Sequence, residues 1–313
     1  MNRSIEFLAF LSVTPAQIFA QTLSSSCHPY SVIDNRSFFE REPPQMHLPR
    51  RASNSSRYNL LKTLRSLRLV VVACAHNVEK DIPKFRSHVK RIIHVFHPSS
   101  RILIFESDST DNTLAILRRW SNAQIYTGGR LKATILSRSE RIAYCRNALL
   151  EKARTLKPDY LLMLDLDIFA GSLSAFFTNF DYKTEDWSAM TANVGGDYYD
   201  IWALRTLSDF NLNYDVWQRV SALIRSPLNY CGESVIDKVI GIHQKHIPIS
   251  RGLLEVRSAF SGAALYKMNS TENCWYSGAN ATSEHVHFHL CIRKKNRARI
   301  FINSRFRICF RHP

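Results

Sequence analysis

The stretch Tyr160-Leu161-Leu162-Met163-Leu164-Asp165-Leu166-Asp167-Ile168-Phe169 sets the expected fold of this chain. Its first half is an apolar run that is typical of a strand buried on both faces of a sheet. Aspartate is depleted in strands and costly to bury unpaired, so the two acids are predicted just beyond the strand's carboxyl end, where open α/β sheets bind ligands. Carboxylate oxygens suit Mn²⁺ or Mg²⁺ bridging a diphosphate, although such a pair can also simply cap the next turn.

The segments before this strand alternate between strand-like and helix-like patterns. Strands are predicted at 67–77, 101–105 and 133–136, and helices over 81–97, from 114 onward and over 139–156. This alternation indicates a parallel, doubly wound sheet. Beyond Phe169 the pattern loosens, with strand-like runs only at 259–266 and 299–302. The predicted fold class is therefore α/β: a mostly parallel Rossmann-type sheet flanked by helices, with an irregular carboxyl-terminal half.

Composition limits the classes of partner. With 313 residues, 45% of them hydrophobic, the chain can bury a sizeable core. The formal net charge of +16 implies anionic partners such as nucleotide diphosphates, nucleic acid or an anionic membrane surface. Because arginine and lysine are spread along the chain rather than gathered into an arm, we expect no nucleic-acid partner.

The chain divides into an amino-terminal segment, residues 1–66, and a domain, residues 67–313, whose halves meet near residue 170. Residues 1–20 resemble a weak signal peptide or signal anchor but also an ordinary terminus, since Glu6 and Pro15 interrupt a short apolar core. Residues 21–66 are predicted to be a poorly ordered basic stem with a short helix near 58–67. The seven cysteines predict one or two disulfides, in a secretory compartment, among Cys231, Cys274, Cys291 and Cys309.

Two polar clusters precede the aspartate pair. Asn77 closes the polar turn after the first strand, and Glu106 opens the Glu-Ser-Asp-Ser-Thr-Asp-Asn-Thr run after the second. In that run Asp108 is placed to bind a base or ribose, or to help cap the following helix. Arg138, Arg141 and Arg146 lie at the start of the next helix, where guanidinium groups and free N–H groups suit a diphosphate.

Two later motifs add candidates. Ser283–His289 holds three histidines at i, i+2 and i+4, and His285 or Glu284 is expected to add a metal ligand or a diphosphate donor, the alternative being a satisfied polar core. The Asn193–Arg205 segment mixes acids, an amide and aromatic side chains, as sugar sites do. Asp197 or Asp200 is the candidate sugar ligand or acid–base group there, and the alternative is a packed loop.

Ordered blocks along the chain resemble a known family. They begin at Glu106, Arg141, Asp165, Tyr199, Phe260, Ser283 and Ile300 and read ESDSTDNT, RIAYCRNALLE, DLDIF, YDIWALR, FSGAALY, SEH and IFIN. Together they resemble the fungal capsule-associated (CAP59-like) α-1,3-mannosyltransferase family over about residues 68–310. The resemblance implies a GT-A glycosyltransferase of the secretory pathway, in the Golgi lumen or membrane, anchored through its amino terminus. It also implies a nucleotide-diphosphate sugar as donor and Mn²⁺ (or Mg²⁺) as cofactor.

The resemblance assigns roles to the candidate residues. By this analogy Asp165 and Asp167 would hold the cation, and Arg141 and Arg146 would neutralise the leaving diphosphate. His285 is the further metal ligand that the histidine motif itself predicts, since this motif is not typical of the family. The remaining donor-binding candidates are Asn77, Glu106, Asp108 and Arg138, with Asp165 shared between donor and metal. A retaining enzyme needs no dedicated base, whereas an inverting one would use Asp200 or Glu233.

The expected reaction moves a hexose, mannose as the leading candidate, to a glycan or glycoconjugate acceptor. Two other functions fit part of the pattern. One is a metal-dependent phosphoesterase or nuclease, and the other is a non-catalytic sugar-binding descendant of a transferase.

Overall fold

The computed structural model describes residues 27–53, 57–169 and 171–310. The signal or anchor segment predicted at residues 1–20 lies outside these ranges. Within them, no helix combines the length and apolar character needed to cross a membrane.

A single ten-stranded sheet organises the described residues. Its strands are β1 Leu69–Ala75, β2 Arg101–Glu106, β3 Gln124–Thr127, β4 Tyr160–Asp165, β5 Ile168–Phe169, β6 Ala189–Val194, β7 Arg205–Thr206, β8 Leu253–Ser258, β9 Ala263–Lys267 and β10 Ile300–Phe310. The order across the sheet is β3-β2-β1-β4-β9-β6-β10-β8-β7, and β5 pairs with β10.

Helices cover both faces of this sheet. They are α1 Phe38–Arg41, α2 Arg57–Leu64, α3 Ile82–Ile93, α4 Thr113–Arg118, α5 Arg138–Thr155, α6 Leu173–Phe177, α7 Val216–Ile224, α8 Gly232–Val239 and α9 Glu284–Asn296. Along β1, Val70 and Val72 belong to one apolar core and Val71 and Ala73 to the other. The continuous apolar runs of the sequence therefore do mark strands buried on both faces.

The first four strands confirm the parallel half of the prediction. β1 pairs in parallel with both β2 and β4, and β2 pairs in parallel with β3. The strand predicted at 133–136 is wrong, because β3 lies earlier, at Gln124–Thr127, beside β2. Residues 131–133 instead form a 3₁₀ turn. Leu136, just before α5, is 85% exposed, whereas a leucine in a buried strand would be covered.

The second half makes the sheet mixed. β9 runs antiparallel between β4 and β6, β10 pairs in parallel with β6, and β8 is antiparallel to β10. The run predicted as one strand at 259–266 is interrupted. Ser261 and Gly262 have φ values of 50° and 79°, so the chain turns there and β9 begins only at Ala263. The predicted α/β class is confirmed, with antiparallel strands filling the second half.

Residues 27–53 correct the expectation of a poorly ordered stem. Phe38 is fully buried, with its ring centroid 5.4 Å from that of Tyr198. The Glu42 carboxylate accepts hydrogen bonds from the backbone of Ser208 at 2.8 Å and from the side chain of Asn211 at 2.9 Å. This segment, called the strap below, has no periodicity because it crosses the domain as irregular chain anchored by a few buried groups.

Three disulfides tie distant elements together. They join Cys27 to Cys231, Cys74 to Cys145 and Cys274 to Cys291. The last pair lies within the predicted set, whereas Cys231 bonds the strap instead of a neighbour in the second half. Cys74 and Cys145 were not predicted to pair, since they are far apart in sequence and meet only because α5 packs on β1.

Candidate active site

A cleft of about 430 Å³ opens at the carboxyl edge of β1, β2 and β4. Parallel pairing places the ends of these strands side by side, with Cys74 opposite both Phe105 and Asp165. The predicted residues that line the cleft are Asp108, Arg138, Arg141, Arg146, Asp165, Asp167, Asp200 and His285. Asn77, Glu106 and Glu233 do not line it. Residues from most of the chain thus meet where the β4 motif predicted a ligand site.

Asp165 and Asp167 occupy the end of β4 and the turn beyond it. The Asp165 backbone N–H donates to the carbonyl of Gly262 at 2.8 Å, which fixes the strand end against the start of β9. Leu166 between them is 2% exposed, whereas Asp167 is exposed at the cleft. Burial, with the like charge of Asp167, raises the pKa of Asp165 to about 7 despite the nearby Arg146.

Arg146 on α5 links Asp165 to Glu284. Its Nη2 donates to Asp165 Oδ1 at 3.0 Å, and its Nε lies 2.8 Å from Glu284 Oε1. The guanidinium carbon stands 4.6 Å from the ring centroid of Phe260, and the side chain is only 6% exposed. Burial opposes the charge, but the two carboxylates raise the pKa of Arg146 above its usual value. Arg146 therefore binds Asp165 directly, and it also lines the cleft in which the resemblance places the diphosphate.

Arg141, Arg138 and Lys132 supply cationic side chains that line the cleft. Arg141 Nη1 donates to the carbonyls of Ile135 and Leu136 at 2.7 and 2.6 Å, which folds the preceding loop over the start of α5. Lys132 was not predicted, because it precedes the strand predicted at 133–136 and belongs to none of the sequence motifs. Its backbone N–H donates to Asp108 Oδ1 at 2.8 Å, so the two loops that carry these residues are joined.

Asp200 reaches the cleft from the irregular segment after β6. Its Oδ2 accepts the backbone N–H of Ser261 at 2.9 Å, and its Oδ1 accepts that of Ala203 at 3.2 Å. Burial raises the pKa of Asp200 above its ordinary value, although the two amides act in the other direction. Glu233, the other predicted base, is exposed in the first turn of α8 and is not part of this cleft.

The three histidines of the Ser283–His289 motif have separate environments because the motif forms the start of α9. His285 stacks on Phe260 with ring centroids 3.7 Å apart, and its Nε2 lies 3.4 Å from Glu284 Oε1. Burial lowers the pKa of His285 well below its usual value, so the ring is neutral, the form that binds metals. His289 is a satisfied core residue between Ser258 and Tyr266, whereas His287 is exposed.

Asn77 and Glu106 shape the wall of the cleft without lining it. Asn77 Oδ1 accepts the backbone N–H of Thr110 at 2.8 Å. Glu106 accepts the Ser109 N–H at 3.0 Å and the Thr127 hydroxyl at 3.1 Å. These bonds hold the loop in which Asp108 adopts a φ of 61°.

The donor set of the cleft fits a divalent cation shared with a diphosphate. Arg146 binds Oδ1 of Asp165, which leaves Oδ2 for a ligand, and Asp167 adds a second carboxylate. No group of three or more His, Cys, Asp or Glu forms a metal-ligand cluster in the described part of the chain. Mg²⁺-type ions commonly use one or two carboxylates and complete their shell with water and substrate phosphates.

Comparison with known proteins adds a family match. Residues 70–171 match the model described as Glycosyl transferase family 2. The matched segment includes β2, β3, β4 and nearly all of β1, together with α5 and both aspartates. None of the curated proteins matches the chain.

Solved structures show a similar fold. A mannosyltransferase, PcManGT from Pyrobaculum calidifontis in complex with GDP-Man and Mn²⁺, is 11% identical with a TM-score of 0.51, over 88% of this chain and 62% of that one. This chain therefore spans less than two thirds of that protein. Glucosyl-3-phosphoglycerate synthase from Mycobacterium tuberculosis, in complex with Mn²⁺, UDP and phosphoglyceric acid, is 14% identical with a TM-score of 0.44, over 84% and 77%. The mixed sheet flanked by helices is thus that of GT-A glycosyltransferase structures.

Proposed function

We propose that this protein is a metal-dependent glycosyltransferase that moves a hexose from a nucleotide-diphosphate sugar to a glycan or glycoconjugate acceptor. The observation that carries the proposal is the convergence of Asp165, Asp167 and three cationic side chains (Lys132, Arg138 and Arg141) on one cleft. Carboxylates for a cation beside cations for phosphate are the groups that a departing nucleotide diphosphate requires.

Different residues of the cleft would have different roles in the reaction. Asp165 and Asp167 would hold Mn²⁺ or Mg²⁺, which when bound neutralises charge on the diphosphate leaving group. Arg138, Arg141 and Lys132 face the same cleft and would bind phosphate oxygens. Glu284 and Arg146 keep the Asp165 carboxylate in one orientation, so less reorganisation is needed when donor binds.

Asp200 is our candidate for contact with the acceptor. It lies in the cleft with Tyr199 and Trp202, an acid beside aromatic rings on which a sugar face can stack. The raised pKa of Asp200 suits a group that accepts a proton from a sugar hydroxyl. In an inverting enzyme Asp200 would be the base, and in a retaining one it would orient the acceptor.

The resemblance supports a donor sugar and a family, and the disulfides support a cellular compartment. Mannose is the leading donor sugar, and the CAP59-like family the leading relative. Three disulfides favour an oxidising compartment, which supports the secretory pathway and the Golgi.

Calorimetric titration with nucleotide sugars, with and without Mn²⁺, tests the proposal together with turnover of the bound donor. We expect at least one nucleotide sugar to bind only with Mn²⁺ and to be hydrolysed slowly or transferred. Asp167→Asn should reduce turnover by about 100-fold or more, since it removes a charge that holds the cation. Asp237→Asn, an exposed aspartate on α8, is the matched control and should retain full turnover.

The same assay separates the other functions. Release of phosphate from simple phosphoesters or nucleic acid, without any nucleotide-sugar turnover, would identify a phosphoesterase or nuclease. Sugar binding without turnover of any donor would identify a non-catalytic descendant. Full turnover in Asp167→Asn would refute the role of the aspartate pair.

A further inference from the structure

A second cavity, of about 660 Å³, lies at the other end of the parallel strands. The cleft described above is at their carboxyl ends, whereas this cavity includes Arg101 at the start of β2 and Gln124 at the start of β3. The carboxyl-terminal part of α3 and the loop after α4 form its walls. It is therefore a separate concavity, which we call the basic cavity.

The basic cavity is lined by cationic and imidazole side chains without a single acid. The lining includes Arg86, Lys90, His94, His97 and Arg101, and no Asp or Glu. Arg86, Lys90 and His94 recur every fourth residue, so α3 and its C-cap residue His94 present them along one face. In the described residues no acidic side chain lies within 4.0 Å of Arg86, Lys90 or Arg101, whereas Arg50, Arg146 and Arg305 all form ion pairs.

The deeper part of the cavity is apolar. Phe96 and Trp120 line it and are each 3% exposed. The Arg86 guanidinium carbon lies 5.7 Å from the Trp120 ring centroid, so this cation is drawn over the aromatic ring at the cavity wall. A concave surface with an apolar interior and cations that lack acidic partners accommodates a compact carbon skeleton that bears several anionic groups.

We propose that the basic cavity binds a small ligand with two or more phosphate groups, such as a phosphorylated sugar or polyol. Phosphate oxygens accept hydrogen bonds from both Arg and Lys, and clustered phosphates match clustered cations that have no acidic partners. A neutral sugar would leave these charges without a counterpart. The site is independent of the proposed transferase activity, because none of its lining residues belongs to the cleft.

Titration calorimetry of the full chain with inositol hexakisphosphate tests this inference, and three double variants locate the ligand. Arg86→Ala/Lys90→Ala alters the basic cavity, and alanine is tolerated on an exposed helix face. Lys152→Ala/Lys294→Ala removes the same charge from exposed positions on α5 and α9. Lys132→Ala/Arg141→Ala alters the cleft, which could also bind phosphates.

Arg86→Ala/Lys90→Ala should weaken binding by about tenfold or more, because two charge-assisted contacts are lost. The other two variants should stay within about twofold of the unmodified protein, since they leave the contacts of Arg86 and Lys90 with the ligand in place. Equal affinity in the Arg86/Lys90 variant, or a loss only in the cleft variant, would overturn the inference. Thermal unfolding of each variant checks that the fold is unchanged.

Vesicles that contain a phosphoinositide identify the source of the phosphates. Vesicle binding that is weakened by Arg86→Ala/Lys90→Ala would identify a lipid headgroup as the ligand. Binding of the free polyol alone would identify a soluble ligand, and both results support the inference. Vesicle binding that Arg86→Ala/Lys90→Ala leaves unchanged, without binding of the free polyol, would overturn it, because a flat charged surface does not require the cavity.

Discussion

Individual residues in the cleft depend on charges supplied from far along the chain. The Asp165 carboxylate is held by Arg146, and Arg146 is held in turn by Glu284. Arg146 and Glu284 are 6% and 5% exposed, so neither charge can be compensated by water. Removing one partner of such a buried pair is much more costly than removing an exposed charge.

Glu284→Gln is therefore expected to lower the free energy of unfolding by about 3–5 kcal/mol, because Arg146 would stay buried with only one carboxylate. Urea denaturation measures this change. Glu233→Gln, an exposed residue on α8, serves as the matched control and should change stability by less than about 0.5 kcal/mol. Equal stabilities of the two variants would show that the ion pair is not a structural requirement.

The positions of whole elements are fixed by contacts that cannot be predicted from the sequence of the element alone. The strap has no regular periodicity, yet Phe38 packs on Tyr198 and Cys27 bonds Cys231, 204 residues further along the chain. α5 is similarly tied to β1 by Cys74 and Cys145, one residue before Arg146. These ties position the walls of the cleft relative to the sheet.

Phe38→Ala should destabilise the protein by about 3–5 kcal/mol, the usual loss for a large aromatic side chain removed from a core. Ile33→Ala, in the same strap but fully exposed, should have little effect. Chemical denaturation of both variants measures the difference. A Phe38 variant as stable as the Ile33 variant would mean that the strap does not contribute to the core.

The free energy of unfolding that is lost with a disulfide should increase with the number of residues in the loop that the disulfide closes. The Cys27–Cys231 and Cys274–Cys291 disulfides close loops of 204 and 17 residues, and a double alanine variant of each pair opens its loop. The chain-entropy model gives losses of about 5 and about 3 kcal/mol for these loops. Denaturation under non-reducing conditions measures both, and the opposite order would show that native-state contacts outweigh chain entropy here.

Over the whole molecule, buried histidines in separate elements couple stability to pH. Burial lowers the pKa of His88 on α3 to about 4, and those of His243 and His289 to about 3. All three are neutral in the folded chain at pH 6.5, whereas an unfolded chain begins to bind protons there. The contribution of these three histidines to folding stability is thus retained above about pH 6.5 and falls as the pH drops toward 4, since the unfolded state binds more protons.

Each of these histidines should contribute a slope of at most about 1.4 kcal/mol per pH unit between pH 6.5 and 4. Urea denaturation at several pH values measures the combined slope. His88→Gln should reduce it, while His287→Gln, exposed on α9, should not. A slope that is unchanged in His88→Gln would contradict the assignment of a buried neutral ring.

The sequence by itself determined the features that depend on neighbouring residues. The apolar run from Leu161 to Leu164 made β4 a buried strand, and the two aspartates after it had to lie at a sheet edge because strands exclude unpaired acids. The alternation of strand and helix patterns before Phe169 gave the parallel half in the same way, since period and capping are local properties. The misplaced third strand shows the limit: Gln124–Thr127 is short and gains its strand conformation from pairing with β2.

Only the tertiary structure decided which distant residues join the aspartates. Asp200 reaches the cleft and Glu233 does not, Glu284 binds Arg146, and β9 returns antiparallel to β4. These contacts form between residues that are far apart in the chain, so they depend on how long loops close. The sequence pattern around each residue would be the same whether or not the contact formed. The β4 motif fixed where the site lies, and the return path of the second half fixed what surrounds it.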